Sequence, residues 1–215
     1  MIITIDGPAG AGKSTISQEF AKLINYDVLD TGAMYRCVAY LKKETGLSLN
    51  DVQFQQDILN MKLVFQNNEV WLNDKNVTKK IRTSEIDILT SIDVSPHIFV
   101  RSQMCNLQRK IAKDKNMVVE GRDMGSNVFP NSPLKFYLTA DTAIRAHRRH
   151  NQLLEKNIHK DLKELEQEII QRDLEDFTRI YSPLCIPEGA YIIDTSELSL
   201  DKVLKKMLEI FQRIV

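Results

Sequence analysis

Short apolar runs alternate along the chain with longer stretches in which apolar positions repeat at helical spacing. Short apolar runs are typical of strands buried on both faces, and amphipathic stretches between them are typical of helices covering a parallel sheet. The pattern predicts strands at Ile2–Asp6, Tyr26–Leu29, Met117–Glu120, Leu134–Leu138 and Ala190–Ile193. It predicts helices at Lys13–Ile24, Ala33–Thr45, Pro96–Lys115, Thr142–Leu154, Leu162–Thr178 and Leu200–Ile214. We therefore expect an α/β fold with a parallel five-stranded sheet flanked by helices.

Two segments interrupt this alternation. Within residues 47–95, Lys62–Val77 alternates like a small antiparallel hairpin, with Lys62–Gln66 and Glu69–Leu72 joined by a turn at Asn67-Asn68. Ser95 before Pro96 predicts that the next helix begins there. In residues 141–179, 17 of 39 residues are charged, 8 basic and 9 acidic. Such a charged run is most often a solvated helix pair, and its position also suits a mobile lid.

Composition limits the classes of protein. The 29 Lys and Arg residues balance 29 Asp and Glu residues among the 215, which argues against a general nucleic-acid binder. Cys37, Cys105 and Cys185 are far apart, so we expect buried thiols in a reducing compartment rather than disulfides or a zinc site. The first residues lack the features of a signal peptide, and no run approaches the roughly 20 apolar residues of a membrane span. We expect a cytoplasmic protein without a membrane partner.

A phosphate-binding motif follows the first strand. Gly7–Thr15 fits the pattern G-x-x-x-x-G-K-[ST] and leads into a helix, which is the strand–loop–helix context of a P-loop. Glycines let backbone N–H groups face phosphate oxygens, and the helix contributes the positive end of its dipole. Lys13 would reach the β- and γ-phosphates, and the Ser14 hydroxyl would join the shell of a Mg²⁺ ion, partly through water. The ATP-binding residues predicted here are Gly7, Pro8, Ala9, Gly10, Ala11, Gly12, Lys13, Ser14 and Thr15.

A P-loop does not specify the phosphate acceptor. The guanine-reading pattern N-K-x-D of GTPases is absent, and Met117–Glu120 is a short strand with one acid, unlike the strand of motor ATPases that ends in paired acids. A small P-loop chain with two insertions indicates transfer to a small acceptor.

Several further motifs resemble bacterial cytidylate (CMP) kinases, a family of P-loop nucleoside monophosphate kinases. The resemblance covers essentially the whole chain, in order, through Gly7–Thr15, Leu29–Arg36, Glu120–Gly125, Val128–Pro130, Ala146–Arg149 and Arg172–Leu184. It implies a core at about 1–46, 96–140 and 180–215, a monophosphate-binding insertion at about 47–95 and a helical lid at about 141–179. It also implies phosphoryl transfer from MgATP to CMP and dCMP.

The resemblance also implies roles for individual residues. Planar guanidinium groups suit bidentate phosphate contacts, and the family assigns Arg36 and Arg122 to the acceptor phosphate, with Arg179 joining when the lid closes. Lys13, Arg122 and Arg179 would be catalytic. The substrate-binding positions are Thr31, Tyr35, Arg36, Ser91, Arg101, Arg122, Asp123, Arg172, Asp176 and Arg179. Ion pairing with nearby acids is an alternative for Arg172 and Arg179.

Base selection is a matter of hydrogen bonding. Cytosine offers an amino donor beside a ring-nitrogen acceptor, so Asp123 and Arg101 suit it, and the family places Asp123, Arg101 and Ser91 at the cytosine. Uracil presents a carbonyl in place of the amino group and would oppose Asp123. The family places Asp176 at the ribose hydroxyls, whereas Ser91 can equally be an exposed helix serine.

Three features leave alternatives open. Asp30, at the end of the second strand, can orient Mg²⁺-bound water or cap the next helix. His147 and His150 are better read as solvated histidines than as metal ligands. The rival functions are a kinase for another small acceptor, such as UMP, AMP or shikimate, and a regulatory module that binds ATP to switch a protein partner. We expect a monomer.

Overall fold

A computed structural model describes residues 1–66, 69–155 and 157–215 of the chain. The strands are β1 (Ile2–Asp6), β2 (Asp27–Asp30), β3 (Leu63–Gln66), β4 (Glu69–Leu72), β5 (Lys75–Asn76), β6 (Met117–Glu120), β7 (Leu134–Thr139) and β8 (Tyr191–Asp194). The α-helices are α1 (Lys13–Ile24), α2 (Thr31–Thr45), α3 (Val52–Asn60), α4 (Ser84–Leu89), α5 (Ile98–Ala112), α6 (Thr142–Leu154), α7 (Leu162–Thr178) and α8 (Leu200–Phe211). Thr90–Val94 and Met124–Val128 are π-helical turns.

The chain divides into two compact units, Met1–Val28 with Asp114–Val215, and Leu29–Lys113. The roles assigned to residues 47–95 and 141–179 remain predictions.

A five-stranded sheet runs through the first unit in the order β2-β6-β1-β7-β8. The central strand β1 is parallel to β6 and to β7, with Ile3 opposite Val118 on one side and Leu134 on the other. These three side chains are buried, as expected for strands covered on both faces. The predicted parallel five-stranded sheet is confirmed, and the strand ends differ from the prediction by at most one residue.

Aromatic side chains join α1 and α8 to one face of this sheet. The ring of Phe20 meets Phe136 and Phe211 edge to face, with centroids 5.8 and 6.1 Å apart. Val203 and Met207 of α8 are buried in the same core. Leu208 and Phe211 are only partly buried, and the helix ends at Phe211, three residues before the predicted Ile214.

The second unit contains the predicted hairpin. β3 and β4 pair antiparallel, with Val64 opposite Trp71, and β5 adds a short third strand that the sequence pattern did not predict. The turn predicted at Asn67-Asn68 lies outside the described residues. The helices α3 and α4 of this unit were also not predicted.

The prediction that a helix begins at Pro96 is wrong. Ser95 instead ends the π-helical turn, where its N–H donates to the carbonyl of Thr90 at 2.8 Å. Ser95 therefore belongs to the end of the π-helical turn and not to the start of a helix. α5 begins only at Ile98, with His97 as its N-cap residue.

The cysteines are less uniform than expected. Cys37 is buried, and burial raises the pKa of its thiol to about 12. Cys105 is half-buried and Cys185 is exposed, which corrects the expectation that all three are buried. Among the described residues, none of the three cysteines forms a disulfide bond. Among the described helices, none has the length and apolar character needed to cross a membrane.

Candidate active site

The loop Gly7–Thr15 connects β1 to α1, as the motif predicts. Gly7 has φ +146°, and a Cβ at this position would lie 2.0 Å from the carbonyl oxygen of Leu138 in β7. Only glycine therefore fits where the loop leaves the sheet. The N-cap residue of α1, Gly12, provides no side-chain cap. The first N–H groups of α1 thus remain available for an anion, in the manner of phosphate-binding helix N-termini.

Lys13 folds back over this loop. Its Nζ donates to the carbonyl oxygen of Pro8 at 2.6 Å, and the residue is buried. Burial, and then the positive charge of Arg122, lower the pKa of Lys13 well below its ordinary value, while Glu120 and Asp176 oppose the shift. A polyanion in the loop would favour the charged ammonium again.

Arg145 of α6 also contacts the loop Gly7–Thr15, and the sequence analysis did not predict this contact. Its guanidinium donates to the carbonyl oxygens of Ala9 at 2.9 Å and Ala140 at 3.0 Å. It also forms an ion pair with Asp173 of α7, at 2.6 Å between Nη1 and Oδ2. A Cβ on Gly10 would lie 3.0 Å from the Cβ of Arg145, so loop and helix are in close contact.

Two arginines and two aspartates of the predicted site form a chain of ion pairs. Arg122 Nε lies 2.7 Å from Asp176 Oδ2, and Arg179 Nη1 lies 3.2 Å from Asp176 Oδ1. Arg179 Nη2 lies 3.6 Å from Asp123 Oδ1. Burial alone would raise the pKa of Asp176, but Arg122, Arg179 and Arg172 together hold it below its ordinary value. The structure therefore brings five predicted residues of this unit into one electrostatic cluster.

Asp6, the last residue of β1, holds the segment that follows Asp123. Its two carboxylate oxygens accept the N–H groups of Met124 at 2.8 Å and Gly125 at 2.7 Å. Burial raises the pKa of Asp6 to about 6, against the lowering effect of these hydrogen bonds. Sequence reasoning missed this residue, and the available signal was a carboxylate directly before the first glycine of the loop.

In the second unit, Asp30 caps α2. Its Oδ1 accepts the N–H of Ala33 at 2.9 Å, and its Oδ2 pairs with Arg82 at 2.5 Å. Of the two alternatives for Asp30, the structure shows the cap. Arg36, in the second turn of the same helix, pairs with Asp87 of α4 at 2.8 Å. Arg82 and Asp87 were not predicted.

The other predicted residues of this unit lie on α2, on the π-helical turn and on α5. The guanidinium of Arg101 lies 5.6 Å from the ring centroid of Tyr35, within cation–π distance, and donates to the carbonyl of Ser95 at 3.1 Å. Thr31 is the buried first residue of α2. Ser91 is half-buried in the π-helical turn.

The candidate ligands for a metal ion in this protein are oxygen atoms. Across residues 1–66, 69–155 and 157–215, no group of three or more His, Cys, Asp or Glu side chains is arranged to hold a metal ion. Ser14 and Thr15 are exposed on the first turn of α1, next to Lys13. A hydroxyl oxygen there fits Mg²⁺, which is commonly held by few protein oxygens together with phosphates and water.

Sequence comparison finds close relatives over nearly the full length. The family model described as Cytidylate kinase matches residues 3–213. The cytidylate kinase of Caldicellulosiruptor bescii is 42% identical over 218 aligned residues, which cover 99% of this chain and 96% of that protein. The cytidylate kinase of Fusobacterium nucleatum is 40% identical, covering 95% and 94% of the two chains.

Structural comparison supports the fold. A crystal structure of an uncharacterized protein from Eubacterium ventriosum superimposes with a TM-score of 0.52 at 12% identity, covering 99% of this chain and 98% of that one. A gluconokinase from Sinorhizobium meliloti gives a TM-score of 0.50 at 13% identity, covering 98% and 91%. At these identities the likeness concerns the fold alone.

Proposed function

This chain belongs to the cytidylate kinase family, and we propose that it transfers the γ-phosphoryl group of ATP, with Mg²⁺, to CMP and dCMP. The products are ADP and the corresponding diphosphate. The observation that carries this proposal is that the loop Gly7–Thr15, with Lys13 folded over it, and the ion pairs of Arg122 and Arg179 with Asp176 lie in the same compact unit. One unit thus combines a cradle for a triphosphate with guanidinium groups suited to a second phosphate.

Phosphoryl transfer requires positioning and charge neutralisation more than covalent help. The backbone of residues 7–15 would bind the β- and γ-phosphates, and Lys13 would carry charge to the phosphoryl group in flight. Ser14 would hold Mg²⁺ with the phosphates, where the ion neutralises charge on the triphosphate. The acceptor oxygen is already ionised, so no general base is required.

The acceptor phosphate would bind the arginines. We assign Arg36, Arg122 and Arg179 to it, with Arg172 beside them. In the structure Arg122 and Arg179 are already oriented by Asp176. A dianionic phosphate competes with that carboxylate for the same N–H groups, and Asp176 can then accept hydrogen bonds from the ribose hydroxyls.

Asp123 would select the base. Its carboxylate is buried and accepts a hydrogen bond from the Asn127 amide at 3.1 Å. It would accept the amino group of cytosine, whereas the carbonyl of uracil at the same place would face a second acceptor. Arg101, stacked near Tyr35, would donate to the base, and Ser91 and Thr31 would complete the acceptor contacts.

The helix pair α6–α7 would act as the lid. It has the predicted bounds and carries Arg172, Asp176 and Arg179 near its end. Closure of this lid over residues 141–179 would exclude water and prevent hydrolysis of ATP. We further propose a cytoplasmic monomer, a location in which the exposed thiol of Cys185 stays reduced.

An acceptor panel tests the proposal. ADP release would be measured with MgATP and, separately, CMP, dCMP, UMP, AMP, GMP and shikimate. We expect strong turnover with CMP and dCMP and weak turnover with UMP. Lys13→Ala should lower kcat about 10²–10³-fold, because it removes charge at the transferring phosphoryl group. The matched control is Lys22→Ala, at an exposed position in the last turn of the same helix. Turnover with another acceptor, or near-normal kcat in Lys13→Ala, would contradict the assignment.

A further inference from the structure

Asp6 is a buried carboxylate that joins the two functional segments of the first unit. It ends β1, so the residue after it, Gly7, opens the phosphate-binding loop. Its side chain has no exposed surface. Both of its oxygens instead point at the segment after β6, where they accept the N–H groups of Met124 and Gly125.

The two N–H donors belong to the residues directly after Asp123. The π-helical turn closes onto this point, because the N–H groups of Asn127 and Val128 donate to the carbonyl of Asp123 at 2.9 and 3.1 Å. A carboxylate that accepts two successive N–H groups fixes the position of both peptides. Asp6 therefore fixes the direction in which the backbone leaves Asp123.

The packing on the other side leaves the turn little room to compensate. A Cβ on Gly125 would lie 2.8 Å from the Oγ1 of Thr4 and 2.9 Å from the Cγ of Pro187. The backbone at Gly125 is thus pressed against β1 and against the segment before β8. A backbone shift that follows a substitution of Asp6 would therefore occur at Asp123 and Met124 rather than at Gly125.

We propose that Asp6 is a positioning residue for base selection: by holding the Met124 and Gly125 amides, it sets the place of the Asp123 carboxylate relative to the phosphate-binding loop. CMP-over-UMP selection therefore depends on a residue that contacts neither nucleotide. This inference rests on the base-reading role proposed for Asp123.

The charge state of Asp6 gives the inference a pH signature. The pKa of Asp6 is raised to about 6, because burial and the charge of Asp123 raise it more than the two N–H groups and Lys13 lower it. Tyr137 faces Asp6 from β7, across the strand pairing. Protonation turns one oxygen into a hydroxyl, which no longer accepts its N–H as an ionised oxygen does. Base selection should therefore weaken as the pH falls through about 6.

The experiment compares the ratio of kcat/KM for CMP to that for UMP between pH 5.5 and 8.5. Both acceptors carry the same 5′-phosphate, so its own titration near pH 6 cancels in the ratio. The variants are Asp6→Asn and, as a matched control, Asp51→Asn, since Asp51 also accepts two successive N–H groups but caps the exposed start of α3. Asp123→Ala is measured in parallel.

In the wild type we expect the ratio to fall about fourfold from pH 8 to pH 5.5, because a group with a pKa of about 6 is about three-quarters protonated at pH 5.5. In Asp6→Asn it should be low and independent of pH, because the amide can accept only one of the two N–H groups. Asp51→Asn should follow the wild type. A wild-type ratio at pH 8 in Asp6→Asn, or an equal loss with both acceptors, overturns the inference.

The parallel variant separates the inference from the proposed function. If Asp123→Ala loses selection and Asp6→Asn keeps it, the inference about Asp6 fails alone. If Asp123→Ala keeps selection, the base-reading role fails and the inference falls with it. If Asp6→Asn does not fold, the wild-type profile decides, and a ratio constant from pH 8 to 5.5 overturns the inference.

A second measurement does not depend on activity. Hydrogen exchange of the amides in residues 122–128 at pH 8 should be at least tenfold faster in Asp6→Asn than in the wild type, and unchanged in Asp51→Asn. Unchanged exchange in Asp6→Asn overturns the inference, whatever the kinetics show.

Discussion

The buried ion pair between Arg145 and Asp173 lends itself to a quantitative test of how the phosphate-binding loop is supported. The Arg145 side chain is 5% exposed and that of Asp173 is 12% exposed. Within the described residues, the second carboxylate oxygen of Asp173, Oδ1, is buried and has no hydrogen-bond partner. Replacing Arg145 by Met would leave this carboxylate buried beside an apolar side chain. Breaking a buried pair in this way costs about 3–5 kcal/mol.

Arg148, one turn along the same helix, is the matched control. Within the described residues, it donates to neutral oxygens of Thr195, to Oγ1 at 3.0 Å and to the carbonyl at 2.5 Å. Arg148→Met therefore removes hydrogen bonds without isolating a carboxylate, at a cost of about 1–2 kcal/mol. The double variant Arg145→Met with Asp173→Asn should regain about 2 kcal/mol over Arg145→Met, because no charge is left unpaired.

Urea unfolding at pH 8 measures these differences, provided that the m values agree among the variants. Steady-state kinetics supply a second readout, since Arg145 also donates to the carbonyl of Ala9 in the loop. KM for ATP should rise about tenfold in Arg145→Met, the equivalent of one hydrogen bond, while KM for the acceptor changes less than twofold. The reasoning is refuted if Arg145→Met costs no more than Arg148→Met, or if the double variant is no more stable than Arg145→Met.

Three further predictions concern single residues. Gly7→Ala should cost about 3 kcal/mol or more in urea unfolding, because the new methyl group meets the Leu138 carbonyl, whereas Gly46→Ala, with open space around it, should cost only about 1 kcal/mol of backbone strain. The pKa of Asp6 rises from its ordinary 3.8 to about 6 on folding. Its contribution to stability is therefore complete below pH 3.8 and about 3 kcal/mol smaller above pH 6, so the difference in unfolding free energy between wild type and Asp6→Asn should fall by that amount over this range. Asp30→Ala should cost about 1 kcal/mol more in urea unfolding than Asp30→Asn, because asparagine keeps a capping oxygen while both variants lose the ion pair with Arg82.

The elements that could be predicted are those whose signal is local and complete. The bounds of β1, β6, α1, α6 and α7 agree with the sequence prediction to the residue. Buried parallel strands are short apolar runs with abrupt ends, and these helices begin at a recognisable loop or acidic cap. The residues next to each of these strands and helices therefore indicate where it begins and ends.

The missed elements carry weaker signals. α3 buries only Phe54 and Ile58, so the apolar periodicity of this helix rests on two positions. The one local indication of the helix was Asp51, its N-cap residue. α5 begins late because a π-helical turn precedes it, and no local propensity distinguishes such a turn from a helix.

The site divides in the same way. The loop Gly7–Thr15 has its geometry encoded in its spacing, so the sequence predicts it. The contacts of Asp6 join residues 118 and 119 positions apart in the chain, and Arg145 reaches Ala9 across 136 positions. The sequence shows that a residue is charged, but it does not show which residue pairs with that charge when it is buried. The partner depends on how the elements pack around the sheet.

The ion pairs within the site determine what an acceptor has to offer. Arg122 and Arg179 would repel each other and Lys13 if they stood alone, and Asp176 and Asp123 offset that repulsion in the structure. An isolated phosphate that takes the arginines deprives these buried carboxylates of their partners, which costs free energy. A nucleotide with a donor amino group and ribose hydroxyls takes the arginines and also gives each carboxylate a new partner. The base and the phosphate of CMP should therefore bind cooperatively, so that CMP binds more tightly than cytidine and phosphate would together.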